Sequence, residues 1–119
     1  MKKDTVDQLN DFLMTPPSDS GWRGKPQVVC ADGFTLSIQA SRHHYCSPRQ
    51  DVGPWTSVEV GFPSAAEPLL FEFVEYETDN TDWTQSVYPY TPIEAVAAVV
   101  DLHGGADWEA LKDSIRNPS

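Results

Sequence analysis

A chain of 119 residues is the size of one domain with a single core, and its 39% apolar content, with four Trp, five Phe and four Tyr, sets it apart from disordered sequences. Its formal charge of −10 repels nucleic acid and anionic membranes, and no apolar run approaches the roughly 20 residues that span a bilayer. The charge is also uneven: through Arg49 six bases meet five acids, whereas from Gln50 onward thirteen acids face only Lys112 and Arg116.

The expectation is one acidic domain covering residues 1–119. After Met1, Lys2 and Lys3 the chain continues with polar residues rather than an apolar signal core, so a cytoplasmic location is expected. Cys30 and Cys46 are the only cysteines, and in a reducing compartment both are expected as thiols.

In chain order, Asp4 and Thr5 followed by Val6, Leu9 and Leu13 predict a short amphipathic helix that stops before Pro16 and Pro17. A Gly/Pro/Ser-rich loop carrying Trp22 and Arg23 follows. Residues 27–31 and 34–40 read as two strands, the second alternating Phe34, Leu36 and Ile38 with polar residues, and Asp32-Gly33 marks a hairpin between them. Residues 41–55 read as a polar loop, and Val58, Val60 and Phe62 alternate in a third strand. Leu69, Phe71 and Phe73 alternate as in a strand, while Leu69, Phe73 and Tyr76 sit at helical spacing behind Ser64 and Glu67, which have capping-box spacing. A short helix over 69–77 is the preferred reading. Ser86, Val87 and Tyr88 predict a short fourth strand.

Thr91, Pro92 and Glu94 form the clearest helix start, with Thr91 as cap, Pro92 in the first turn and Glu94 closing the box. Ile93, Val96, Val100 and His103 trace one face up to the stop at Gly104-Gly105, and residues 107–115 form a last helical turn or two. The predicted class is α+β: a three- to four-stranded antiparallel sheet with helices on one face.

Chemistry-bearing motifs are sparse. His43, His44 and Cys46, with Cys30 and His103 elsewhere, are the best candidates for zinc or thiol chemistry, but zinc favours paired ligand spacings and the chain has only His-His-x-Cys. A Cys46/His44 nucleophile pair would need its thiolate stabilised by Arg42 or Arg49 and lacks an evident oxyanion hole. No glycine-rich phosphate loop opens a helix. The expectation is therefore a non-enzyme without metal or cofactor, with a small zinc-binding or thiol-dependent protein using Cys46 and His44 as the alternative.

The acidic stretch offers the sharper hypothesis. Residues 67–82 hold Glu67, Glu72, Glu75, Glu77, Asp79 and Asp82 and no base, interleaved with Phe71, Phe73 and Tyr76 and followed by Trp83. Such a surface can serve solubility alone. It can also engage Lys and Arg on a partner, with aromatics as anchors, and compete for a groove that binds nucleic-acid phosphates. The predicted partner-binding residues are these six carboxylates and Trp83.

Val29-Cys30-Ala31-Asp32-Gly33-Phe34, Gln39-Ala40-Ser41, His44-Tyr45-Cys46-Ser47-Pro48-Arg49 and Val58-Glu59-Val60-Gly61-Phe62-Pro63-Ser64 resemble a group of small phage- and prophage-encoded proteins, as do Val87-Tyr88-Pro89-Tyr90-Thr91-Pro92 and His103-Gly104-Gly105. The group brings no catalytic residues with it. What the resemblance implies is a class analogy with inhibitors of host defence, including anti-CRISPR proteins and DNA mimics. The expectation is a non-enzymatic inhibitor in the host cytoplasm that binds a basic surface of a host protein or nucleoprotein, with a CRISPR effector as one such target. A phage accessory protein whose charge serves only solubility is a further alternative.

Overall fold

The computed structural model describes residues 4–17 and 24–117; the loop residues Trp22 and Arg23 lie outside them. Helix α1 (Thr5–Met14) begins where the Asp4 carboxylate accepts the Asp7 N–H and ends at Thr15, before the two prolines. A meander of four antiparallel strands follows, β1 (Val28–Val29), β2 (Thr35–Gln39), β3 (Ser57–Gly61) and β4 (Val87–Pro92), with sheet order β1-β2-β3-β4. Helices α2 (Ile93–Leu102) and α3 (Trp108–Arg116) close the chain. The α+β class with a four-stranded antiparallel sheet is the one expected.

The alternation seen in the sequence sets the faces of the sheet. Val28, Leu36, Ile38, Val58, Val60 and Tyr88 are fully buried, whereas Thr35, Ser37 and Gln39 remain partly exposed on the other side of β2. The same core takes Leu9, Phe12 and Leu13 from α1, Ile93, Val96, Val99 and Val100 from α2, and Trp108 and Ile115 from α3. Phe12 and Trp108 meet at 5.8 Å between ring centroids, which joins α1 to α3.

Several local expectations need correction. The first strand is two residues long rather than five: Cys30 leaves the ladder for an isolated bridge to Ala106, and Ala31 donates to Gly105 O at 2.8 Å. The short helix over 69–77 is a 3-10 helix limited to Pro68–Phe73, and Glu67 is its N-cap, accepting the Leu69 N–H. Ser64 takes no part in a capping box, because its hydroxyl accepts the Thr35 N–H at 3.0 Å. A second 3-10 turn, Trp83–Gln85, leads into the fourth strand. The fourth strand continues to Pro92, so Thr91 is a strand residue whose hydroxyl donates to Tyr88 O at 2.9 Å, and α2 starts without a side-chain cap. The capping-box spelling at Thr91 and Glu94 was outcompeted by strand pairing.

β4 is bulged. Val58 pairs with Thr91 and Val60 with Tyr88, so Pro89 and Tyr90 together oppose Glu59. Proline has no N–H to give the ladder, and Tyr90 takes a left-handed φ of 51° while its N–H donates to Tyr45 O at 3.0 Å.

Candidate functional site

The acidic residues divide by role once the chain is folded. Glu67 is only 5% exposed and turns inward, its Oε1 lying 2.7 Å from His103 Nε2. Asp82 caps the second 3-10 turn, taking the Thr84 N–H and hydroxyl, and the Thr84 hydroxyl chiefly holds its carboxyl below the usual range. Trp83 stacks on Phe71 at 3.9 Å between centroids and 18° between planes, so it serves as internal support. Glu72, Glu75, Glu77 and Asp79 are exposed, and none of them forms an ion pair among the described residues.

The segment bearing these four carboxylates is nevertheless anchored. Glu67 holds one end, Leu70 is fully buried, and the Glu75 N–H donates to Val87 O at 2.9 Å, attaching the segment to β4. At the other end the Tyr88 hydroxyl donates to Trp83 O at 2.6 Å. Between the anchors Tyr76 stands 78% exposed and Leu69 46% exposed, both set among the carboxylates. The arrangement presents negative charge and apolar surface on a backbone fixed at several points.

The partner of the buried Glu67 was not legible in the sequence. His103 closes the end of α2, with Nδ1 2.6 Å from Asp32 Oδ2 and Nε2 2.7 Å from Glu67 Oε1. A carboxylate oxygen only accepts, so both ring nitrogens carry a proton and the ring is an imidazolium. The bond from Glu67, then that from Asp32, raises its pKa against the opposing effect of burial. Phe34 lies flat on the ring at 4.0 Å and 10°. With both nitrogens engaged, this histidine has no lone pair for general-base chemistry. His103, Glu67 and Asp32 come from positions far apart in the chain, and the only sequence signals were the turn at Asp32-Gly33 and the helix stop at Gly104.

The loop with the expected zinc or thiol residues has a different organisation. Cys46 is buried and its thiol donates toward Ser41 O and Pro48 O, and burial raises its pKa, which opposes the thiolate that a nucleophile requires. His44 Nδ1 lies 2.7 Å from Ser41 Oγ, which also accepts the His43 N–H at 3.0 Å. Burial lowers the His44 pKa, with Glu59 acting in the opposite direction. Cys30 lies in the core at the end of β1, its thiol pushed up to about 11 by burial and then by Asp32. Among the described residues no three His, Cys, Asp or Glu side chains gather as a metal site would require. The structure thus brings Cys46 beside Ser41 and places His103 with Asp32 and Glu67.

Two further surface features escaped the sequence reading. Tyr45 and Tyr90, both about half exposed, approach at 5.9 Å, with the Arg49 guanidinium 5.3 Å from the Tyr45 ring centroid. An open, largely apolar groove of about 560 Å³ runs beside β1, lined in part by Val29, Ala31, Ala106 and Leu111. Among the described residues no helix is long and apolar enough to cross a membrane.

No known protein family matches the sequence, and comparisons with curated proteins and with solved structures found no similar protein.

Proposed function

We propose that this protein is a non-enzymatic inhibitor that binds a basic protein surface through Glu72, Glu75, Glu77 and Asp79. The target class is a nucleic-acid-binding host nucleoprotein, a CRISPR effector being the leading case, and the setting is a phage-encoded protein in the host cytoplasm. The reading is supported chiefly by four exposed carboxylates that form no ion pair among the described residues, on a segment anchored at both ends. A surface that is already ordered loses less entropy on binding than a flexible acidic tail. Unpaired like charges draw a basic partner at long range and make the association sensitive to salt.

Glu67, Asp82 and Trp83 contribute differently from the other four. They shape the segment from within through His103, Thr84 and Phe71, so their substitution acts on binding through folding. No specific contact favours the zinc or thiol alternative, since the Cys46 thiol is turned to backbone carbonyls.

The test is a pull-down from bacterial lysate at low and high salt with wild-type protein and the Glu72→Lys, Glu75→Lys, Asp79→Lys triple variant. The reading expects a basic, nucleic-acid-associated partner captured by wild type in low salt, weakened in high salt and lost with the variant. Full retention by a folded triple variant in low salt overturns it. Capture of no basic partner favours a charge that serves solubility alone.

A further inference from the structure

The contacts of His103 are unequal in a way that gives its two possible neutral forms different consequences. Asp32 stands on the β1–β2 turn with its side chain 50% exposed, whereas the Glu67 side chain is 6% exposed. Each carboxylate also caps local backbone: Asp32 Oδ1 accepts the Phe34 N–H at 2.9 Å, and Glu67 Oε2 accepts the Leu69 N–H at 3.1 Å. The turn is further docked on the end of α2 by the Asp32 N–H on His103 O and the Ala31 N–H on Gly105 O. One ring therefore joins the end of a helix, a hairpin turn and the cap of a 3-10 helix.

We propose that His103 is a proton-operated clasp which, on losing its proton, keeps Glu67 and releases Asp32, loosening the β1–β2 turn from the end of α2. A neutral imidazole has one N–H, so one carboxylate must then face a ring lone pair at hydrogen-bond distance, which is repulsive. Releasing Glu67 would leave a buried carboxylate with only the Leu69 N–H and no cation to offset its charge, whereas Asp32 can turn into water. The proton lost to solvent is accordingly the one on Nδ1, and the remaining N–H stays on Nε2 against Glu67. The moving element is residues 31–33, and Ala31 is also a wall of the groove beside β1.

Among the described residues the charged groups that act on the ring are Asp32 from the turn and Glu67 from the loop, both anionic. Its own helix presents its C-terminal carbonyls, which favour the imidazolium. Asp101, two residues away, is exposed and accepts the Thr5 hydroxyl at 2.6 Å. Cys30, beside Asp32, stays a neutral thiol until about 11. Phe34 covers a ring face and adds no charge. The window of the clasp is therefore set by two carboxylates of unequal burial and lies above the ordinary histidine value.

The experiment is a pH titration of ¹⁵N-labelled wild-type protein by NMR, following both His103 ring nitrogens and the exchange protection of the Asp32 and Leu69 amides, each corrected for its intrinsic rate. Above the His103 transition the clasp requires the Nε2–H tautomer, with protection at Asp32 falling roughly tenfold relative to Leu69, the size expected for loss of one charge-assisted hydrogen bond. An Nδ1–H tautomer, or equal protection changes at the two amides, overturns it. Glu67→Gln gives an independent arm: an amide at Oε1 no longer demands the Nε2 proton, so the preference for that tautomer weakens. If the variant does not fold, the wild-type tautomer alone decides.

Discussion

Asn10 on α1 and Trp55 in the loop before β3 hold each other by both backbone groups: the Trp55 N–H donates to Asn10 Oδ1 at 2.7 Å, and Asn10 Nδ2 donates to Trp55 O at 3.4 Å. Asn10 is 8% exposed and Trp55 1%, so neither backbone group has ready access to water in exchange. This side-chain amide acts as a short strand partner, fastening the 41–56 loop to the first helix. Asn10→Ala is expected to leave a buried N–H unpaired and cost about 1–3 kcal/mol. Asn10→Asp keeps the acceptor for the shorter bond but loses the donor, and the order wild type, then Asp, then Ala in urea midpoints above pH 6 checks the assignment.

The end of α2 depends on a residue without a side chain. Gly104 has φ +94°, and a Cβ there would stand 2.9 Å from the Ala31 Cβ. Gly33 has the same φ with open space around it. Gly33→Ala is expected to show only the backbone cost of about 1–2 kcal/mol, and Gly104→Ala more than that, because two elements must separate as well. Thermal unfolding of the two variants side by side checks the order, and adding Ala31→Gly should recover part of the Gly104→Ala loss only.

Stability should depend on pH through groups with opposite senses. The His103 value is raised, chiefly by Glu67, so its contribution is complete below the ordinary histidine value of about 6.5 and is lost as pH rises through the folded value. The Asp32 value is lowered, first by the Phe34 N–H and then by His103, so its contribution is present above the ordinary Asp value of about 3.9 and is lost as pH falls through the folded value. Burial lowers the His44 value, so protonating His44 opposes folding as pH falls below about 6.5. Denaturant unfolding across pH should therefore decline on the alkaline side in wild type, and His103→Gln should flatten that limb. An unchanged limb in a folded His103→Gln protein would remove the role assigned to this histidine.

Both thiols should resist an aromatic disulfide reagent in the native protein. Cys30 and Cys46 are 3% and 1% exposed, and burial raises both pKa values. The expected result near pH 8 is two reactive thiols in denaturant and slow reaction without it, at a rate that follows opening of the fold. Fast native reaction at Cys46 would instead revive the thiol reading.

How much of this was readable in advance follows from how local each interaction is. The alternation through Leu36 and Ile38, and again through Val58 and Val60, was enough to assign strand faces, because a strand with one buried side has period two whatever it pairs with. The Asp4 and Asp107 caps depend on neighbours three residues away and have matching signals in composition. The capping-box spelling at Thr91 and Glu94 failed because β3 supplied a ladder to extend β4, which no window around Pro92 reveals.

The functional surface divides in the same way. That the second half is acidic, and that residues 67–82 carry no base, is a property of the sequence alone. Which carboxylates face outward was decided only when His103, 36 residues from Glu67, came within hydrogen-bond reach. Burying a carboxylate is costly unless a cation meets it, and that meeting depends on how α2 packs across the sheet. Net charge adds residue by residue along a chain, whereas the pairing that removes a charge from the surface exists only in three dimensions.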